Sequence, residues 1–286
     1  GVSSAASDVY KRQMADAPTA INRAWPSALN KTRSRLSRRN DVTALDIDQR
    51  MLRVVHVTTG KIPGSTHIKR IEVVPVPSEG FDLENPRKVG EWIGEQLKAL
   101  RLVPGNVVMA ARRGEAVLKE LLLPSLKDAG EMASMVNMRA VRELPFPEAD
   151  AVIDFTVTKA PTKKELQTAR KETQQTGAAT HTKAHIVVAA VRRNTVNRYL
   201  TITESAGLTL TGLGLRPLAS FRALKTCVPE ISGDTVALIS VRRHEVDVDI
   251  LIDGRLVFSR ELSVNLETVS YTHLRAHETD SYLVCR

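Results

Sequence analysis

The sequence predicts an α/β fold, and three observations carry that expectation. Three consecutive segments rich in β-branched residues open the ordered part of the chain, a capped amphipathic helix follows them, and strand-like and helix-like segments alternate from there on. Of the 286 residues, 42% are hydrophobic but only 4% aromatic, so the core has to be built from Val, Leu, Ile, Ala and Met. That length suits two compact domains or one large one.

The order of elements follows from local chemistry. Residues 14–40 are rich in Ala, Pro, Asn, Ser and Arg without periodicity and read as disordered. VTALDIDQRMLRVVHVTT, 42–59, reads as two strands meeting at a tight turn near Asp48 and Arg50, and HIKRIEVVPV, 67–76, as a third. Asn85 can cap a helix that has Pro86 in its first position, and Val89, Ile93, Leu97 and Leu100 recur at helical spacing until Pro104 and Gly105 end it. Strands are expected at 106–112 and 116–124. Asp128 and Glu131 form a capping-box-like pair opening a helix to about Leu144, with Met132, Met135, Val136 and Val141 on its apolar face. Met132, Met135 and Met138 at this spacing read as core filling rather than as an adaptable binding surface.

Pro145, Phe146 and Pro147 stop that helix, and 151–157 reads as a strand. Residues 159–184 form a polar insertion. The strand 185–191 leads to a helix capped by Asn194 and closed by Gly207. A strand at 208–215, a helix from Pro217 to about Thr226 and three strands at 234–241, 245–252 and 255–262 complete the pattern, the last two joined by a turn at Asp253 and Gly254.

Bulk properties exclude several classes. No run approaches the roughly 18 apolar residues of a membrane-spanning helix. No apolar stretch of about 7–15 residues resembles a signal peptide, so a cytoplasmic location is expected. Cys227 and Cys285 alone support neither a disulfide framework nor a cysteine metal site. Lys31, Arg33, Arg35, Arg38 and Arg39 supply five of the nine net positive charges within one short segment. That segment lacks interleaved aromatics and does not resemble a base-stacking nucleic-acid site. Weak contact with an anionic membrane, at about 1 kcal/mol per basic residue, and a merely solvated tail are both compatible with it.

His181 and His185 have metal-ligand spacing only on a helix, and here they straddle a loop and a strand, so no metal is expected. Gly212 and Gly214 lack the third glycine of a dinucleotide fingerprint, and neither a Walker A nor a Gly-x-Ser-x-Gly motif is present.

Four segments in order resemble the PilM family, the actin-like proteins of type IV pilus assembly. They are ALDIDQRMLRVVHV at 44–57, EMASMVNMRAVRELPFPEADAVIDFTV at 131–157, IVVAAVRRNTVNRYLTITESAGLTLTGLGLRPLASFRAL at 186–224, and DTVALISVRRHEVDVDILIDGRLVFSREL at 234–262. The resemblance implies an actin-like (FtsA/PilM-type) fold. Subdomain 1A would comprise 41–112 and 185–230, a small α+β subdomain 1C would be inserted at 113–184, and an incomplete second lobe would occupy 231–268. Residues 1–13 and 269–286 fit nothing around them and resemble translated sequencing-adapter DNA, so they and the tail to residue 40 are set apart as non-native or disordered. On that reading Met14 is a candidate start and a C-terminal portion is missing beyond about Thr268.

The resemblance also implies a nucleotide site, with ATP and magnesium held between two hairpin turns of the form D-x-G. Glycine serves there because backbone amides must approach phosphate oxygens closely. The first turn reads Asp46-Ile47-Asp48 and the second Ser240-Val241-Arg242. A carboxylate about 4 Å from a phosphate charge costs on the order of 4 kcal/mol at an effective dielectric of 20. Asp46 is then a turn residue kept for hairpin geometry rather than a magnesium-side carboxylate, and no bound cofactor is expected.

In PilM-like proteins the region of Pro145, Phe146 and Pro147 receives an extended segment of the membrane protein PilN. The same residues also read as a helix terminator with one buried ring, and the two readings are compatible. Three functions remain open on this sequence: a scaffold at the inner membrane without ATP hydrolysis, an ATP-dependent assembly protein, and the cytoplasmic domain of a type II secretion platform protein of the GspL kind.

Overall fold

A computed structural model describes residues 41–264, except 60–65, 78–80, 105, 126–127, 160, 163–164, 166, 169–181, 229, 231–233 and 243–244. The basic segment from Lys31 to Arg39, His181, most of the polar insertion and the segment 269–286 lie outside the described residues.

The described residues form three sheets. The largest has the order β3-β2-β1-β4-β8. In it β1 (Asp41–Ile47), β2 (Met51–Thr59) and β3 (Thr66–Pro75) form an antiparallel meander, while β4 (Asn106–Ala111) and β8 (Leu210–Leu215) run parallel to β1. One face carries Leu45, Leu52, Val54, Val107 and Leu213, all at most 1% exposed. They pack against Val89, Ile93 and Leu97 of helix α1 (Pro86–Ala99) and Val196, Tyr199 and Ile202 of helix α3 (Arg193–Ser205).

The second sheet has the order β5-β7-β6, from β5 (Ala116–Pro124), β6 (Ala151–Lys159) and β7 (Lys183–Arg192), all antiparallel. Helix α2 (Ala129–Val141) covers one face of it through Met132, Val136 and Ala140. The third sheet is antiparallel β11-β10-β9, from β9 (Thr235–Val241), β10 (Glu245–Ile252) and β11 (Arg255–Ser263). Helix α4 (Arg216–Cys227) follows β8 without a connecting loop.

Some expectations need correction. Among the described residues strand β7 pairs only with β5 and β6, so the small sheet runs through Arg192, past the expected boundary at 184. Helix α1 stops at Ala99, well before Pro104. Arg101 takes a left-handed conformation (φ 52°), and the amides of Arg101 and Leu102 return to the carbonyls of Lys98 and Leu97. Asn194 does not cap α3, because Arg192 holds the cap position and the Asn194 side chain accepts from the amide and hydroxyl of Thr195, its immediate neighbour. Helix α2 ends at Val141, short of Leu144, and Met138 is 63% exposed rather than part of the core.

Other local signals hold. Asn85 accepts from the amides of Arg87 and Lys88, and Asp128 from those of Gly130 and Glu131. Gly207 closes α3 at φ 71°, and the β10–β11 turn uses positive φ at both Asp253 and Gly254.

Not every apolar surface is covered. Ile68, Ile71 and Val73 on β3, Ile239 and Val241 on β9, and Phe258 and Leu262 on β11 are exposed. On the third sheet the register places Ile239 and Val241 on one face with Val246, Val248, Ile250, Phe258 and Leu262.

Helices α1 and α3 approach so closely that an alanine Cβ at position 90 would fall 2.2 Å from the Ile202 carbonyl oxygen. Gly90→Ala is therefore expected to lower stability by about 1–3 kcal/mol through helix displacement, despite alanine's better helix propensity. Denaturant melting of the two proteins measures the difference.

Candidate functional site

The first hairpin turn is closed by its own side chain. The Asp48 amide donates to the Met51 carbonyl at 3.0 Å. The Asp48 Oδ1 accepts from the amides of Arg50 at 2.8 Å and Met51 at 2.9 Å. These turn amides are the donors such a hairpin could offer to an anion, and Asp48 uses them. Across the turn, Arg53 Nη1 lies 2.6 Å from Asp48 Oδ2 and 3.2 Å from Asp46 Oδ2. Burial pushes the Asp48 carboxyl up, but the Arg50 amide, the Arg53 guanidinium and the Met51 amide outweigh it and hold the group below its ordinary value.

At the second hairpin the residue in the corresponding place is a base, Arg242. The Arg242 amide donates to the Glu245 carbonyl at 2.8 Å. The Arg242 guanidinium turns back to Asp247 Oδ2 at 2.6 Å and Glu245 Oε1 at 3.0 Å. Ser240 stands opposite Asp247 in the β9–β10 register.

Sequence reasoning missed the residue that joins the two turns. Arg216, the first residue of α4, has a side chain only 7% exposed, and it donates through Nη2 to Asp46 Oδ1 and through Nη1 to Glu245 Oε1, each at 2.8 Å. Burial lowers the Arg216 pKa, but Asp46 and Glu245 outweigh it and the group stays charged. Asp48, Arg53, Asp46, Arg216, Glu245, Arg242 and Asp247 thus form an alternating ladder from one hairpin to the other, with one more acid than base. A clue was available in the sequence. A cation in the first turn of a helix opposes the helix dipole, so it needs an acidic partner elsewhere.

The predicted partner-binding residues lie beyond α2. Pro145 and Pro147 are exposed, and Phe146 is half-buried beneath Arg192, whose guanidinium carbon sits 4.4 Å from the ring centre. Beside them is a narrow apolar cleft between α2 and the small sheet, lined by Val117, Leu121, Ala140, Leu144, Val188 and Ala190. Lys119 and Glu143, paired at 3.0 Å, border it. Among the described residues, β6 pairs only with β7, so its other edge is open. His185 faces Glu120 and Arg255 rather than a metal-ligand set. No group of three or more His, Cys, Asp or Glu among the described residues is placed to hold a metal. None of the described helices is long and apolar enough to cross a membrane.

A family model described as type IV pilus assembly protein PilM matches residues 44–268. The chain belongs to the PilM family. Its fold is actin-like, and it superposes on a chain of a PilM-PilN type IV pilus biogenesis complex with a TM-score of 0.63 at 21% identity. That match covers 78% of this PilM-family chain and 62% of the other. Looser superpositions are found with two further proteins. One is a Bacteroides thetaiotaomicron protein with an actin-like ATPase fold, with a TM-score of 0.42 and 10% identity, covering 80% of this chain and 72% of that one. The other is the cytoplasmic domain of EpsL, an inner membrane component of the type II secretion system of Vibrio cholerae, with a TM-score of 0.39 and 10% identity, covering 78% and 70%. A search of curated proteins finds no match to the PilM-family chain.

Removing Arg216 leaves Asp46 and Glu245 facing each other, so Arg216→Ala is expected to cost about 3 kcal/mol in denaturant melting. A second test turns on Asp249, which is 1% exposed. Burial raises its carboxyl, the Ser259 hydroxyl lowers it, neighbouring Asp247 raises it and Arg113 lowers it, with a net rise above 3.8. A raised carboxyl favours the fold when protonated, and that advantage is lost as pH climbs through the folded value. Asp249→Asn is therefore expected to raise the melting temperature at about pH 7 and to give no gain near pH 3. Equal effects at both pH values would contradict this.

Proposed function

We propose that this PilM-family chain is a scaffold of the type IV pilus machinery that docks the cytoplasmic segment of a membrane-anchored, PilN-like protein and does not hydrolyse ATP. The observation that carries the second half is the Asp48 carboxylate seated on the amides of its own turn. A nucleotide phosphate would have to displace it, and would also have to draw Arg53, Arg216 or Arg242 away from carboxylates at 2.6–3.2 Å. The residues in the two turns therefore fit phosphate poorly, and no step of the function is routed through a nucleotide.

Docking draws on different features. An extended peptide gains main-chain hydrogen bonds by adding to an open strand edge and gains specificity from pockets for alternate side chains. The open edge of β6, the apolar cleft beside Leu144 and the half-buried Phe146 lie within one stretch of fold. The solved PilM-PilN complex supports a partner of this kind by fold similarity. Such a protein works in the cytoplasm at the inner membrane. Lys31, Arg33, Arg35, Arg38 and Arg39 would add weak attraction to anionic lipid there.

Two measurements test the proposal. Isothermal titration with Mg-ATP is expected to show no binding tighter than about 100 μM. Tighter binding that Asp46→Ala abolishes would establish the ATP-dependent reading instead. A pull-down with the cytoplasmic peptide of the PilN-like partner is expected to succeed with the native chain and fail with Phe146→Asp. Undiminished capture by a folded Phe146→Asp protein removes that ring from the docking site.

A further inference from the structure

A second polar joint lies away from both hairpins. Glu120 on β5 and His185 on β7 belong to the small sheet, and Arg255 opens β11 of the third sheet. Arg255 Nη1 lies 2.6 Å from Glu120 Oε1 and 2.8 Å from His185 Nδ1, and His185 Nδ1 lies 2.8 Å from the same Glu120 oxygen. The three side chains are 15–29% exposed, so bulk water screens them only in part. Arg255 reaches both Glu120 and His185 through Nη1, and its Nε is buried without a hydrogen-bond partner among the described residues.

The triangle cannot satisfy all three edges with hydrogen bonds at once. A guanidinium only donates, so the nitrogen facing it must present a lone pair. With His185 neutral, Nδ1 and the Glu120 carboxylate both accept from Arg255, and the two sheets are tied. A proton on Nδ1 reverses the geometry's meaning. The imidazolium donates to Glu120 and meets the guanidinium as a like charge at 2.8 Å.

The charged groups facing His185 are few. The β5–β7 and β6–β7 registers put Glu120 beside it, Lys159 across from it on β6, Lys183 two residues back on its own strand and Asp154 further along the same face, with Arg255 arriving from β11.

We propose that His185 is a proton-operated release for the third sheet, holding Arg255 when neutral and expelling it when protonated. The proposal does not depend on the docking function. Other links remain in place on release. Arg113 holds the Ser259 hydroxyl and carbonyl, the Gly114 amide donates to Glu261, and Arg216 holds Glu245. Release therefore loosens β11 at its Arg255 end without detaching the sheet.

Hydrogen exchange of the whole chain tests this, with protection of the β10 and β11 amides corrected for intrinsic rate at about pH 8 and about pH 5.5. Burial raises the Glu115 carboxyl, but Arg112, the Tyr199 hydroxyl and Arg198 outweigh it, so Glu115 and Asp48 are both held low and stay ionised across this range. Asp249 is raised, and the comparison is made in an Asp249→Asn background to remove it. Protection near Arg255 is expected to fall roughly tenfold on acidification when His185 is present. It is expected to stay constant in His185→Gln, whose amide oxygen still accepts from Arg255. No fall in the parent, or the same fall in His185→Gln, overturns the proposal. A second measurement is independent of any change at His185. Nitrogen-15 spectra at about pH 8 should show its Nδ1 without a proton, and a protonated Nδ1 in the neutral ring would refute the mechanism.

Discussion

A guanidinium taken out of water must be met by carboxylates, and in this molecule Arg216 meets two of them from different sheets. Desolvation of each ion costs several kcal/mol, and only close, well-aligned partners offset it. Arg216 therefore fixes the start of α4, the position of Asp46 at the end of β1 and the approach of β10 through Glu245. The conformation of the first turn follows. Asp46 and Arg53 are held, Arg53 holds Asp48, and Asp48 takes the turn amides. On the other side Glu245 and Asp247 hold Arg242. The charged groups of both hairpins are thus satisfied by side chains of the protein itself.

The same preference for charge over apolar packing marks the joint of the third sheet, whereas the large and small sheets meet through Ala116, Val152 and Val191 in one buried apolar cluster. The large and small sheets each sit on a cluster of buried hydrophobic residues, but Leu251 and Leu256 of the third sheet belong to neither cluster. Arg113, Arg216 and Arg255 instead reach across to Ser259, Glu245 and Glu120. Polar joints are directional and can be exchanged one by one, whereas an apolar interface resists partial opening. The fold thus combines two sheets joined by apolar packing with a third sheet held by separate polar contacts.

Much of the fold was legible in the chain because strands and turns are local. The segments 116–124 and 245–252 coincide with β5 and β10, and Gly207 and Gly254 take the left-handed conformations that their positions called for. What escaped was set by long-range partners. Nothing within 185–191 says whether that strand joins the large sheet or the small one. Asp46 and Arg216 are 170 residues apart, so the ladder between the turns is invisible to motif reading. Asp48 stands in the sequence as a charged residue where a D-x-G turn has glycine, yet its role in capping that turn needs the backbone positions. His185 was weighed only against a metal, because its true neighbours come from β5 and β11.

The bare faces of β3 and of the third sheet have a consequence of a different kind. Among the described residues, Ile68, Ile71 and Val73 on an edge strand, and Ile239, Val241, Phe258 and Leu262 on one face of a sheet, are left exposed to solvent. Water gains by shedding such contact, so these patches make the polypeptide adhesive to itself and to surfaces.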